Sequence, residues 1–409
     1  MQMSSLYSKR LFIGTSLLVL LFLVPMLAAC GAGNSTSGGG KTLTPQSSAG
    51  KSGTSAATPD ATAGVLSGVQ PCPAAVRDPA YWDPIIPTQK GVSSVASVSC
   101  GHLLGKPSLQ ALVTVHRNDA SGMVLDVYVF NNITNATPTR IFRLMGLVKG
   151  DAKISKYNTV MTAQADELSA LNAGKPVSAM TADLFREFKW SAGASTLVQT
   201  VFPGIFPDLT RYQAEADQMG VNQGHQPWKL SATEVARTLA VSLLNWSTSS
   251  STTLISGGGA HDVSAVVQVR SSEVVSGVIK VTLSRLEGKT DGGIWEAVAV
   301  TSDGMSITSP VQLAPVSSPV GVKGTGNAFE GLIGQLMVLD HLYNTLGKAS
   351  ATGVVGNGPT SFSTSLYYQS TFPTGIQEGV LVLYAHSNAN GSIAGAVMVK
   401  VLVNGGPHL

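Results

Sequence analysis

The 409-residue chain reads as a mainly β protein with one mixed α+β segment in its middle. Three observations lead there. Gly, Ser, Thr and Val dominate, with 44 glycines alone, and strong helix formers are scarce, a composition that favours strands and turns. Short apolar runs recur between Gly, Pro, Asn and Ser clusters, the spacing of strands and their turns. One segment, carrying Val235, Leu239, Leu243 and Trp246, repeats apolar residues at helical spacing instead.

The length suffices for two or three domains. Charged residues make up only 12% of the chain, and the formal net charge is +3. No basic block is available to neutralise phosphates, so nucleic acid is not an expected partner.

The N-terminus has the layout of an export signal. Lys9 and Arg10 precede a nearly unbroken apolar run from Leu11 to Leu27, followed by Ala28, Ala29 and Cys30. Leu27-Ala28-Ala29-Cys30 resembles the lipobox of bacterial lipoproteins. The resemblance implies that residues 1–29 are a signal peptide and that Cys30 becomes the lipidated N-terminus. It places the protein on the extracytoplasmic face of the cell membrane, with that membrane as its first partner. Two or more acyl chains, at ~0.8 kcal/mol per buried CH₂, would hold it stably. The competing reading is an uncleaved anchor, since the run is close to the roughly 17-residue minimum for spanning a bilayer. Residues 30–69 then read as a flexible tether of Gly, Ser and Thr, reaching roughly 35 Å root-mean-square.

Cys72 and Cys100 are the other two cysteines. An even pair in an oxidising compartment predicts a disulfide. Closing a loop of about 28 residues would contribute roughly 3 kcal/mol. Two buried free thiols are the alternative.

Residues 70–205 are expected to form a β-rich meander domain. Ala111–His116 and Val124–Phe130 are strand-like, and Asn118–Gly122 between them has turn chemistry, so they predict a hairpin. Ile141–Met145 follows another polar turn region, and Asp183–Trp190 either closes this domain or leads into the next. The stretch from Gly101 to Phe130 resembles an integrin-type FG-GAP blade without that family's Asp-rich loop, so no calcium is carried over.

Residues 206–303 are expected to form the α+β domain. Ser231 and Glu234 make a capping box, with Leu230 and Val235 at the staple positions. Strand-like runs follow at Ala265–Arg270, Val278–Leu286 and Ile294–Thr301, the last two joined by a Gly288–Gly293 hairpin. A helix followed by an antiparallel sheet resembles the cystatin-like or nuclear-transport-factor-like architecture.

Residues 304–409 carry an ordered set of motifs: Ser309-Pro310, Ser318-Pro319-Val320, Gly324-Thr325-Gly326, Phe329-Glu330, Gly358-Pro359 ahead of Phe362, and the turn Asn390-Gly391. In that order they resemble the immunoglobulin-like domain of bacterial spore germination proteins. The resemblance covers about a quarter of the chain. It implies a β-sandwich with a structural or interaction role at the cell surface. The residues themselves also predict a sandwich: Leu332–Leu339, Phe362–Tyr368, Val380–Tyr384 and Ala396–Val403 are short apolar runs separated by turn clusters. Phe362 and Leu366 alternate with serines, so they should face inward, and Phe329 is expected in the core.

No catalytic, metal or cofactor motif is found. H-E-x-x-H, C-x-x-C and G-x-S-x-G do not occur. Gly288-Lys289-Thr290 imitates the end of a P-loop, but Leu283 stands where its first glycine belongs. Asp340-His341 and His261-Asp262 pair an imidazole with an acid, without a nucleophile at any defining spacing. Trp246 and Trp295 fit core positions. Trp82 and Trp228 lie in loop-like sequence; they read first as core or linker-packing residues, and of the five tryptophans they are the better candidates for stacking on a glycan. Glu330, beside Phe329, is either a solvated turn acid or a partner contact.

These readings converge on a non-catalytic, lipid-anchored envelope protein, with an envelope protein or wall polymer as its partner. One alternative is a binding protein for a cell-wall glycan. Another is small-molecule binding or catalysis in a concave sheet of the α+β domain.

Overall fold

The computed structural model describes residues 67–89, 91–119, 122–288, 292–372 and 375–405. The signal-like run, Cys30 and nearly all of the tether lie outside them. Strand accounts for 47% of the structure and helix for 12%, so the chain is mainly β. Among the described residues no helix is long and apolar enough to cross a membrane.

The first sheet has five antiparallel strands in chain order: β1 (Val69–Gln70), β2 (Ser93–Gly101), β3 (Gln110–Asp119), β4 (Gly122–Asn131) and β5 (Thr139–Val148). The expected hairpin is β3–β4, in register from Ala111↔Phe130 to Asp119↔Gly122. Two single-turn helices, α1 (Ala74–Arg77) and α2 (Pro79–Trp82), cover one face. Asp78 caps α2, and Pro79 stands at its first position, where no N–H is needed. Cys72 and Cys100 are disulfide-bonded, with Cα atoms 5.2 Å apart. They lie in the core that these helices share with Ala111, Val113, Val115 and Phe130.

A second sheet follows: β6 (Asp151–Ile154), β7 (Val160–Gln164), β8 (Leu184–Ser191) and β9 (Thr196–Thr200). Val160, Phe188 and Leu197 pack against Leu112, Val127 and Val129, so the two sheets share a core.

Helix α3 (Arg211–Asn222) and helix α4 (Ala232–Leu244) come next. Ser231 caps α4 as expected, its Oγ accepting from Glu234 N at 3.4 Å. The Glu234 carboxylate goes to Arg237 rather than back to the cap. Val235, Leu239 and Trp246 are buried on the expected face. They pack on β11 (Ser264–Arg270), β12 (Val278–Ser284) and β13 (Glu296–Thr301), while β10 (Ser251–Gly257) precedes these strands at the sheet edge.

The remaining strands are β14 (Ser306–Ser309), β15 (Ala314–Val316), β16 (Val320–Gly326), β17 (Leu332–Leu339), β18 (Thr345–Thr352), β19 (Thr360–Leu366), β20 (Gly375–His386) and β21 (Ile393–Gly405). Strands β14, β16 and β19 form a small sheet, and Val322, Phe362 and Leu366 face Leu336, Leu381, Val399 and Val401 across a sandwich-like core. The opposite faces of β20 and β21 present Val380, Val382, Tyr384, Ala396 and Met398 to the core under α4. Burial on both faces explains why these two strands read as continuous apolar runs rather than alternating ones.

One long sheet therefore runs β10-β11-β12-β13-β21-β20-β17-β18, crossing position 303 without a break. Its weak point is the join between β13 and β21, which has a single pairing, Val300↔Met398. Residues 202–209 fill the gap where these strands part. Ile205 N donates to Ala297 O and Ala297 N to Phe206 O, each at 2.7 Å. From the other side Lys400, fully buried on β21, donates to Gly204 O (2.9 Å) and Leu209 O (2.5 Å). Its ammonium also lies 3.0 Å from Glu378 Oε2, while Glu378 Oε1 accepts from Phe202 N.

One core expectation is corrected. Phe329 is 53% exposed, because Glu330 and Gly331 form the two-residue tip of a hairpin, and Phe329 and Leu332 flank it outside the sandwich.

Replacing Lys400 with Met should destabilise the protein by about 3–5 kcal/mol, because Glu378 and two carbonyls are left buried without their cation. Adding Glu378→Leu should recover much of that loss. Urea denaturation of the single and double variants measures both.

Candidate functional site

The segment between β7 and β8, residues 165–183, is held from within. Asn172 Nδ2 donates to Asp166 O (3.1 Å) and Thr181 O (2.9 Å), and its Oδ1 accepts from Thr181 N. Asp183 accepts from Asp166 N at 2.7 Å and from Ser169 Oγ at 2.5 Å. A polar loop can be buried only when its groups are paired in this way.

This loop meets the C-terminal strands at His341, whose side chain is 2% exposed. Nδ1 lies 2.8 Å from Gln377 Oε1, an acceptor, so Nδ1 carries a proton. Nε2 faces Asp183 Oδ2 at 3.8 Å, within ion-pair range but beyond a hydrogen bond. Thr371 Oγ1 closes the same junction on Asp166 Oδ2 at 2.5 Å. Burial opposes the charged imidazole, yet Asp183, Asp340 and Asp166 outweigh it and raise the His341 pKa above 6.5. Burial likewise opposes the Asp183 carboxylate, but His341, Asp166 N and Ser169 together bring its pKa below 3.8.

A cleft of about 370 Å³ opens beside this junction, lined by Leu168, Asn344, Thr345, Leu346, Gln369 and Thr371 among others. Its one charged lining residue, Asp340, is fully buried and spends its carboxylate on Leu342 N, Asn344 N and Asn344 Nδ2. The cleft thus presents amides, hydroxyls and aliphatic surface.

The Asp340-His341 pair is accordingly a structural fastening. Of the hydroxyls in the network, Ser370 Oγ bonds Gln377 Nε2 and Phe372, and Ser169 Oγ donates to Asp183 Oδ2, rather than to the imidazole. His261 and Asp262 are exposed, and Asp262 Oδ2 accepts from Gly259 N in its own turn.

The other sequence-predicted residues do not gather here. Cys30 lies outside the described residues. Cys72 and Cys100 form the disulfide of the first sheet. Trp82 is fully buried against Phe130, and its Nε1 donates to Val76 O at 2.8 Å, so it offers no face to a glycan. Trp228 is half-buried beside Phe206, with Lys229 Nζ 5.6 Å from its ring centre. Glu330 is exposed at the hairpin tip with φ 49°, a turn position rather than part of a site. The sheet face expected to hold a pocket in the α+β segment is packed with Val267, Val281, Leu283 and Trp295 under α4. Sequence reasoning missed the 165–183 loop. Its signal was the spacing of Asp166, Ser169, Asn172 and Asp183 between two strands.

His341 should titrate above 6.5 in an NMR pH series. Its contribution to stability is complete below 6.5 and lost as pH rises through its folded pKa. Asp183 contributes above 3.8, and that part is lost as pH falls through its depressed pKa. The unfolding free energy should therefore decline as pH rises above 6.5, and less steeply in His341→Gln.

Among known proteins the chain finds no match: no protein-family model, no curated protein and no solved structure.

Proposed function

We propose that this chain is a lipid-anchored protein of the extracytoplasmic envelope with a non-catalytic structural or interaction role. The Cys72–Cys100 disulfide is the observation that carries the location. Such bonds persist in oxidising compartments, as the export-type N-terminus and Cys30 lead one to expect.

Three features support the role. Lys400 with Glu378, His341 with Asp183, and Arg211 with Glu187 and Glu287 all fasten one chain segment to another. In the Asp340-His341 pair, which on sequence invited a catalytic reading, His341 faces Asp183 and Gln377 while Asp340 holds its own turn. The N-terminal meander, the helix-on-sheet middle and the C-terminal sandwich are the ground for three domain readings: a β-rich meander, a cystatin-like or nuclear-transport-factor-like unit, and an immunoglobulin-like module. The resemblance of that last module gives the reading its link to spore germination machinery or cell-surface assembly.

Mass spectrometry of the membrane fraction tests the anchoring. The expected N-terminal peptide begins at Cys30 and carries a diacylglyceryl group. An intact Met1 or an unmodified Cys30 thiol would overturn it.

A second reading, binding of a wall glycan, is favoured by the neutral, hydroxyl- and amide-lined cleft beside Asp340. Ala170, exposed at its rim, can be changed to Trp without disturbing the core. That variant should lose retention on purified wall polymer if the cleft is the site, and equal retention of both proteins would exclude it.

A further inference from the structure

Strand β10 is an open edge of the long sheet. It pairs with β11 on one side, from Ser251↔Arg270 to Gly257↔Ala265, and with no other described strand. Six of its seven residues are exposed and Thr252 is half-buried. Leu254 is 45%, Ile255 54% and nearby Val263 52% exposed. From Thr238 to His261 the sequence contains no Asp, Glu, Lys or Arg.

Exposed edges are normally blunted by charge, brevity or cover, because their unpaired N–H and C=O groups template further pairing. Three other edges follow that rule. Strand β1 has two residues, and β5 carries Arg140 and Arg143. Strand β18 carries Lys348 and lies against β19, where Thr364 Oγ1 donates to Ser350 O at 3.3 Å. Strand β10 has only a bulge between Leu254 and Ser256.

We propose that β10 is a self-association edge, through which two copies of this chain pair antiparallel and continue the long sheet across a twofold axis. A second copy fits because the strand complements itself. Antiparallel pairing centred on Leu254 sets Ser251 against Gly257, Thr252 against Ser256 and Thr253 against Ile255, with Leu254 beside its own copy, so that no charge meets a like charge along the strand. Near the Ser251 end lie exposed Arg270 and Glu273, and near the Gly257 end lie Asp262 and half-buried Arg285. Each end holds one acid and one base, so the pairing brings no net like charge together. A strongly charged peptide would gain nothing from this strand. A single seven-residue ladder is smaller than the ~1,200 Å² typical of stable complexes, so the dimer is weak and reversible. The inference does not depend on lipidation.

Sedimentation of the full-length chain in detergent, from low micromolar to several hundred micromolar, reads the equilibrium. The expected result is a monomer–dimer transition whose dissociation constant rises tenfold or more in Thr253→Lys and in Ile255→Lys, with thermal midpoints unchanged. Cysteine trapping reads the geometry. Leu254→Cys at the strand centre should cross-link between copies, whereas Ser251→Cys at its end should not. A monomer at every concentration would overturn the proposal. So would a dimer indifferent to both lysines, or equal cross-linking at both positions, which marks a parallel arrangement.

Discussion

The position of Lys400 constrains the rest of the structure. It lies in the middle of β21, a strand buried on both faces, where an ammonium has no access to water. A buried charge must find partners or be neutralised. Lys400 finds two carbonyls on the 202–209 segment and a carboxylate on β20. That segment consequently has one place to go, the gap between β13 and β21. It joins the N-terminal sheets to α3, so fixing it also positions the halves that it connects. The pair gives position more than stability. Burial raises Glu378 to about 7 even with Lys400 beside it and lowers Lys400 in turn, so desolvation offsets much of their attraction.

The same logic repeats where the second sheet meets the middle region. Arg211, at the start of α3, reaches Glu187 on β8 and Glu287 beyond β12, while Lys156 lies 2.9 Å from Glu287. Tyr157 Oη donates to Leu286 O at 2.6 Å, and the Arg211 guanidinium lies 4.2 Å from the Tyr157 ring centre. Lys229 bridges Asp208 and Asp217, and Asp208 N donates to the fully buried Glu296. Each contact joins residues distant in sequence, which is why none announces itself as a motif.

Legibility followed burial. The β3–β4 hairpin, the α4 face and the inward Phe362 and Leu366 were readable because one side of each element is apolar and the other is not. Strand β10 was not, since its Ser, Thr and Gly carry no alternating apolar pattern and only Thr252 is as much as half-buried. Trp82 read as loop-like because a single-turn helix is too short to show periodicity, although its packing in a core was the leading expectation. Phe329 was misplaced because an aromatic beside a turn looks the same whether the turn points in or out. The cleft was hidden more deeply. It is assembled from residues 168–170, 340–346 and 369–371, and no local pattern connects them.

A chain with 12% charged residues that buries Asp126, Asp166, Asp183, Glu187, Asp208, Lys229, Glu287, Glu296, Asp340, Glu378 and Lys400 leaves few charges for its surface. Long-range electrostatic steering needs a field, and a surface with so little net charge generates a weak one. In the proposed interaction role, recognition would rest on contact chemistry: hydrogen bonds from hydroxyls and amides, an open strand edge, and small apolar patches. Contacts of that kind depend weakly on salt and gain most from repeated encounter at close range, the condition that the proposed lipid anchor would create.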